Sequence, residues 1–164
     1  MDNGSNDGSC AFVAARYPWV HLIELPENFG FCKAVNEGIR ASRSPYVLPL
    51  NNDIEVTENF IEEMLSAIKR HPKAFSCAAR MIQFHDRDRL DDAGNYYCAL
   101  GWAYARGKGK NIHTYEKEEK IFASCAGAAI YRKKIFDELG YFDEEHFCIS
   151  GGHGRGIPGQ DLRI

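Results

Sequence analysis

Three things are missing from this sequence, and each absence removes a class of function. No apolar run approaches the ~20 residues that a membrane-spanning helix needs, so no transmembrane segment is expected. There is no basic excess: 20 Lys and Arg against 23 Asp and Glu leave a net charge of −3. A nucleic-acid binder would show the opposite imbalance, so no nucleic-acid partner is expected. No C-x-x-C pair occurs, and Cys10, Cys32, Cys77, Cys98, Cys125 and Cys148 lie too far apart for zinc or redox spacings. Most stand within apolar stretches, as small buried hydrophobes do. Free thiols suit a reduced, cytoplasmic protein. The opening MDNGSNDGS is polar and acidic, unlike a signal peptide.

What is present is ordinary in bulk. The 164 residues suffice for one domain with a real core. The 45% hydrophobic and 26% charged residues are the balance of a soluble globular chain. The stretch that organises the reading is residues 46–53, YVLPLNND. Five mostly apolar residues running into polar ones describe a buried strand of an α/β sheet. In open α/β sheets ligands sit beyond the carboxyl ends of the strands, which puts Asn51, Asn52 and Asp53 in a ligand crevice. A lone carboxylate beside amide oxygens suits a hard cation that keeps several waters and also holds a phosphate. Taken alone, the plainer reading is a polar turn capping a strand.

Upstream, residues 2–9 (DNGSNDGS) carry the Asp, Asn and Gly of a strand-ending turn, with Asp7 or Ser9 as a helix cap. A calcium loop is excluded, because Gly4 and Val13 stand at its third and twelfth positions, where ligands are required. Residues 19–25 read as a second strand. Asn28 is then a natural N-cap for a helix with Phe31, Ala34, Val35, Gly38 and Ile39 at spacings of three and four. Asn36 and Gly38 are poor helix formers inside it, marking close packing, a polar contact or a tolerated irregularity. Thr57 caps the clearest helix, whose stripe is Phe60, Ile61, Met64, Leu65 and Ile68, and His71-Pro72 end it. Residues 74–84 read as a strand and 86–94 as a solvated charged loop. Residues 95–107 are aromatic and apolar, and 108–120 are a polar loop with room to move. Residues 121–131 read as a strand whose small central residues let something approach the backbone. Residues 132–139 read as a short helix closed by Gly140.

In order along the chain, DNGSNDGS, NFGFCKAVNEGI, YVLPLNNDIEV, RLDDAG, the Arg106-Gly107 pair, CAGAAIYRK and LGYFDEEHF together resemble the family 2 glycosyltransferases with the GT-A fold. The resemblance implies an α/β fold, a nucleotide-diphospho-sugar transferase-like sandwich with a mostly parallel, mixed sheet. Here that fold is expected to be incomplete at both ends. The resemblance implies that Asp2 meets the base or ribose, with Asn3 and Ser5 beside it. Asn28, Gly30, Phe31 and Asn36 would line the nucleotide. Asn51 and Asn52 would contact the donor, and Asp53 would hold a divalent cation, Mn or Mg. Asp91, Arg106 and Gly127 fall on the acceptor side. Two positions depart from the pattern. Asn51 fills the first acidic place of the DxD-type motif, and Pro49 removes a ladder donor from a central strand.

The implied partners are a UDP- or dTDP-sugar and a glycan or lipid-linked glycan acceptor, in cell-surface polysaccharide synthesis in the cytoplasm. The implied reaction is sugar transfer with inversion. The leaving diphosphate gathers negative charge that a cation stabilises, and a carboxylate takes the proton of the acceptor hydroxyl. That base belongs to an E-D-x-D segment just after FDEEHF, and none is there. Asp143 and Glu144 are weak in-frame substitutes, better read as residues that hold a helix-turn.

Residues 148–164 (CISGGHGRGIPGQDLRI) are instead a glycine-rich tail for which flexibility is expected. Its Gly154-x-Gly156-x-x-Gly159 follows no strand, so a dinucleotide reading fails. Read one base later, the codons permitted from Cys148 onward can spell AYLEDMDVGYRARI. We therefore read a one-base frameshift at Cys148, leaving residues 1–147 as a partial GT-A domain. A strand-helix-strand of about 30 residues is likewise expected before DNGS. Its loss would expose sheet edges and favour self-association. A sugar-nucleotidyltransferase is disfavoured, since no Gly-rich, Lys/Arg-bearing phosphate loop stands near the start. Two readings result: a metal-dependent inverting glycosyltransferase by descent with catalysis impaired, or a non-catalytic nucleotide- or protein-binding fragment. Sequencing the gene from codon 147 onward is expected to show a shifted frame that spells E-D-x-D. Codons unable to spell it sink the frameshift reading.

Overall fold

The computed structural model describes residues 1–100 and 102–145, and the backbone of a last short strand at Leu162–Arg163. Apart from that strand, the tail and the frameshift read at Cys148 lie outside the described residues. The chain divides into two compact units, Met1–Arg43 with Gly140–Gly156, and Ser44–Leu139 with Ile157–Ile164.

The first unit carries helices α1 (Ser9–Arg16) and α2 (Phe31–Ala41). Gly8 precedes α1 with φ 87°, and the Asp7 carboxylate accepts the Ser9 N–H at 3.0 Å, so Asp7 does part of the capping. The expected strand over residues 19–25 does not form. Asp2 alone runs beside it, through one parallel bridge to Glu24, and a strand without a neighbour has no ladder to complete. Helix α2 begins at Gly30 rather than on an Asn28 cap. Its poor helix formers are explained by a polar contact: Asn36 is fully buried. Its amide donates to the Phe142 carbonyl at 2.8 Å and to Glu144 at 2.9 Å, and accepts the Phe142 N–H at 3.0 Å.

The second unit contains β1 (Tyr46–Val47), α3 (Phe60–Arg70), β2 (Ser76–Ala78), β3 (Met81–Ile82), β4 (Leu90–Asp92), β5 (Asn95–Tyr97), β6 (Ala103–Ala105), β7 (Lys120–Ile121), β8 (Ala129–Arg132), α4 (Lys133–Leu139) and β9 (Leu162–Arg163). Strand β8 lies between β1 and β2 and is antiparallel to both, with Val47 opposite Tyr131 and Cys77 opposite Ile130. The mostly parallel sheet is therefore not what the described strands form. Every ladder among them is antiparallel, and β1 and β2 run alike only across β8. Pro49 explains the short β1, since it has no N–H to give the ladder. Past it, Leu50 rejoins by a single bridge to Ala128.

Met64 and Ile68 of α3 pack on Ala74, Cys77 and Ile130. Phe136 of α4 meets Phe75 edge-on with ring centres 5.2 Å apart. The apolar stripe of α3 is narrower than its sequence suggests, because Ile61 is exposed. Asn59 rather than Thr57 is the N-cap of α3, and Thr57 gives only its carbonyl, which accepts the Phe60 N–H at 3.1 Å. Residues 86–94 are only partly solvated: Leu90 pairs with Ile82, and Leu90, Asp92 and Ala93 are buried. The loop over residues 108–120 is pinned. Glu118 pairs with Arg70 and His71, and Arg80 donates to the Ile112 carbonyl at 2.7 Å.

Arg132, expected to open a helix, closes β8 instead. Its guanidinium donates to the carbonyls of Ile68 (2.6 Å), His71 (3.1 Å) and Ala74 (2.9 Å), and to the Tyr46 hydroxyl (3.2 Å). The last carbonyls of a helix have no partner within it, and a cation there also meets the negative end of the helix dipole. Arg132→Met is expected to cost about 3 kcal/mol, read as a lower urea midpoint. An unchanged midpoint would mean that α3 is closed by other groups.

Candidate functional site

In the first unit the turn after Met1 is built by its own side chains. The Asp2 carboxylate accepts the N–H groups of Gly4 (3.0 Å) and Ser5 (2.9 Å). Hydrogen bonding from Ser5, side chain first, holds that carboxyl below its usual range. Asn3 donates to the Asn28 side chain at 2.8 Å and the Gly30 carbonyl at 3.2 Å, and accepts the Phe29 N–H at 3.0 Å. Gly4, at φ 80°, lies so close to residue 27 that an added Cβ would stand 2.5 Å from the Glu27 carbonyl carbon. Asp2, Asn3, Ser5, Asn28 and Gly30 are thus one stitched pair of loops, with a partly exposed Phe31 opening α2 beside them. Asn36 does not join them, since its amide is committed to residues 142–144. Burial and the Glu24 and Asp2 carboxylates push the Cys10 thiol up to about 11, which makes it a poor nucleophile.

Asp143 and Glu144 both make contacts within the first unit. Asp143 accepts the Glu145 N–H at 3.0 Å. Hydrogen bonds from Asn36, and then the Arg40 guanidinium at 3.0 Å, hold the Glu144 carboxyl below its ordinary value. A carboxylate stabilised in its charged form accepts protons less readily.

The second unit holds an open cleft whose wall includes Asn51, Asp53, Asp91, Cys125 and Gly127. It is open and measures about 1320 Å³, above the ~300–1,000 Å³ of a usual small-ligand pocket. Strand order explains the convergence. The bridge from Leu50 to Ala128 and the Asn51 N–H donated to the Gly127 carbonyl at 3.0 Å tie the end of β1 to the entry of β8. Glycine at 127 lets the Asn51 amide lie close, since a Cβ there would stand 3.3 Å from its nitrogen. Among the described residues, the Asp53 carboxylate has no hydrogen-bond or ion-pair partner. Asn52 is exposed but outside the cleft wall.

Asp91 lies 3.5 Å from the Lys108 ammonium. Asp92, which sequence reasoning passed over, is buried, and burial raises its carboxyl against the pull of the Gly94 N–H. Its only sequence signal was the Asp-Asp pair between Leu90 and Ala93. Arg106 does not line the cleft. It is 3% exposed, pairs with Glu119, and sits 3.9 Å over the Tyr115 ring. It is a buried cation that braces residues 115–119.

Among the described residues no group of three or more His, Cys, Asp or Glu side chains stands close enough to cage a metal. The unpaired Asp53 carboxylate beside the Asn51 amide fits a cation that draws its other ligands from water and phosphate. No helix among the described residues is long and apolar enough to cross a membrane.

The family described as glycosyl transferase family 2 matches residues 1–140. N-acetylglucosaminyl-diphospho-decaprenol L-rhamnosyltransferase of Mycobacterium tuberculosis is 25% identical over 169 aligned residues, covering 89% of this chain and 55% of that protein. A putative polypeptide N-acetylgalactosaminyltransferase 9 of Drosophila melanogaster is 25% identical over 148 residues, covering 84% of this chain and 23% of that protein. The chain therefore spans about half the length of the mycobacterial relative.

Because Glu144 titrates below its ordinary 4.5, its bonds stabilise the fold above that pH and are lost as pH falls through the depressed value. Glu144→Gln is expected to flatten the acid side of the melting-temperature profile. An unchanged acid slope would assign that loss to other carboxylates. With the family matching residues 1–140, well over half of the sequence, the chain belongs to glycosyl transferase family 2.

Proposed function

We propose that this chain carries the donor-binding part of an inverting glycosyltransferase. It would take a UDP- or dTDP-sugar as donor and a hydroxyl of a glycan or lipid-linked glycan as acceptor, in cell-surface polysaccharide synthesis at the cytoplasmic side. The observation that carries the reading is the unpaired Asp53 carboxylate on the cleft wall, beside an Asn51 held against Gly127. Asp53, with Asn51 adjacent, would hold a divalent cation, Mn or Mg. When bound, such an ion offsets the charge that builds on a leaving diphosphate.

The chain's own groups account for the rest. The Asn51 amide supplies a neutral donor where a carboxylate would repel phosphate. Asp91, 3.5 Å from the Lys108 ammonium, offers an acceptor for a sugar hydroxyl. Within the first unit, Asp2, Asn3 and Asn28 would meet a base or ribose. Turnover by this chain is impaired in this proposal, because Glu144 is held by Asn36 and Arg40 and residues 146–164 contain no E-D-x-D. The same observation favours a second reading, a fragment that binds nucleotide or protein without catalysis. A GT-A-like sandwich and self-association through open sheet edges belong to this proposal as well.

Calorimetric titration with UDP and dTDP, with and without Mn, tests it. Mn is expected to tighten binding about tenfold or more, and Asp53→Asn to abolish that gain. No nucleotide response would sink the donor reading and favour a protein-binding fragment. Robust sugar transfer would overturn the claim of impairment.

A further inference from the structure

Residues 95–105 (NYYCALGWAYA) contain no charged side chain, yet several of them are among the most exposed apolar residues of the chain. Strands β5 and β6 pair as an antiparallel ribbon, with Tyr96 opposite Tyr104 and Tyr97 opposite Ala103. The Cys98 N–H donated to the Trp102 carbonyl at 2.8 Å extends it towards the tip. Leu100 is 83% exposed and Trp102 73%. Residues opposite each other in a ladder share a face. Tyr96 and Tyr104 therefore occupy one face, their rings 5.8 Å apart. Tyr97 lies on the other face, stacked on an exposed Phe122 at 5.5 Å. A flat protein partner covers one face of a ribbon. A finger that is aromatic on both faces and apolar at its tip suits a medium that surrounds it.

The charges at its base indicate which medium. Lys108 and Lys110 follow the finger, and Lys117 and Lys120 close the same stretch, while Arg106 is buried against Glu119 and Lys108 stands 3.5 Å from Asp91. Of the three glutamates of that stretch, Glu116 pairs with His113, Glu118 with Arg70 and His71, and Glu119 with Arg106. Lys120 and Phe122 are exposed on either side of a buried Ile121, so in an extended segment they point the same way. Tyr and Trp have an apolar body with a polar tip and gather at the membrane–water interface. Lysines beside them are drawn to anionic headgroups.

We infer that Tyr97, Leu100, Trp102, Tyr104 and Phe122 form an interfacial finger that seats the chain on an anionic phospholipid surface, with the neighbouring lysines over the headgroups. The inference is independent of nucleotide binding in the cleft, and its test contains no nucleotide.

The test uses the full chain with Trp19→Phe, which leaves Trp102 as the reporter of the two tryptophans. With vesicles of phosphatidylglycerol and phosphatidylcholine, Trp102 emission is expected to shift to the blue and the chain to sediment with the vesicles. Leu100→Ser with Phe122→Ser should cut the partition coefficient about tenfold or more. Lys117→Glu with Lys120→Glu should remove the preference over pure phosphatidylcholine. Phe12→Ser with Val20→Ser, exposed in the other unit, should change nothing. Absence of binding by the parent chain overturns the inference. So does loss that follows Phe12 and Val20, or finger substitutions that dissociate a dimer while vesicle binding stays intact.

Discussion

The guanidinium of Arg132 is the contact on which the second unit depends. It gathers three carbonyls around the end of α3 and the hydroxyl of Tyr46 on β1, from the last residue of the central strand. That fixes β8 between its neighbours, and the chain entering β8 is then obliged to pass the end of β1. The contacts of Leu50 with Ala128 and of Asn51 with Gly127 follow from this register. The placement of Asp53 on the cleft wall depends in turn on those two contacts.

Carboxylates in this chain divide by what they are already holding. Glu144 is committed to Asn36 and Arg40, and Asp2 to the turn it closes. Glu118 and Glu119 pin a loop to Arg70, His71 and Arg106. Each of these already has partners within the fold. Asp53 has no such partner among the described residues, and in a cleft that leaves its lone pairs open to a cation or a polar ligand. Asp92 is the opposite case, buried with one N–H to offset the loss of water. Charge alone does not separate these roles; the company of each group does.

Much of the candidate site was legible because its signals are local. Turn chemistry marked Asp2, Asn3 and Gly4, and the apolar run into NND marked the end of β1. Helical spacing found α2 and α3, though it gave α3 one apolar position too many at Ile61. Strand readings fared worse. Residues 19–25 had the right composition but no neighbour, and Pro49 cut β1 to two paired residues. Residues 86–94 looked solvated because their charges mask Leu90, which pairing with Ile82 buries.

By itself, then, the sequence determined the helices, the turn that opens the chain and the family pattern, all of which rest on spacings within one or two dozen residues. Tertiary structure decided what the polar groups are for. Asn36 meets Phe142 across 106 residues, Arg132 meets Ile68 across 64, and Arg106 is buried by Tyr115 and Glu119 rather than turned to the cleft. The physical reason is that periodicity is written along the chain, whereas burial and hydrogen-bond partners are set only when distant segments meet.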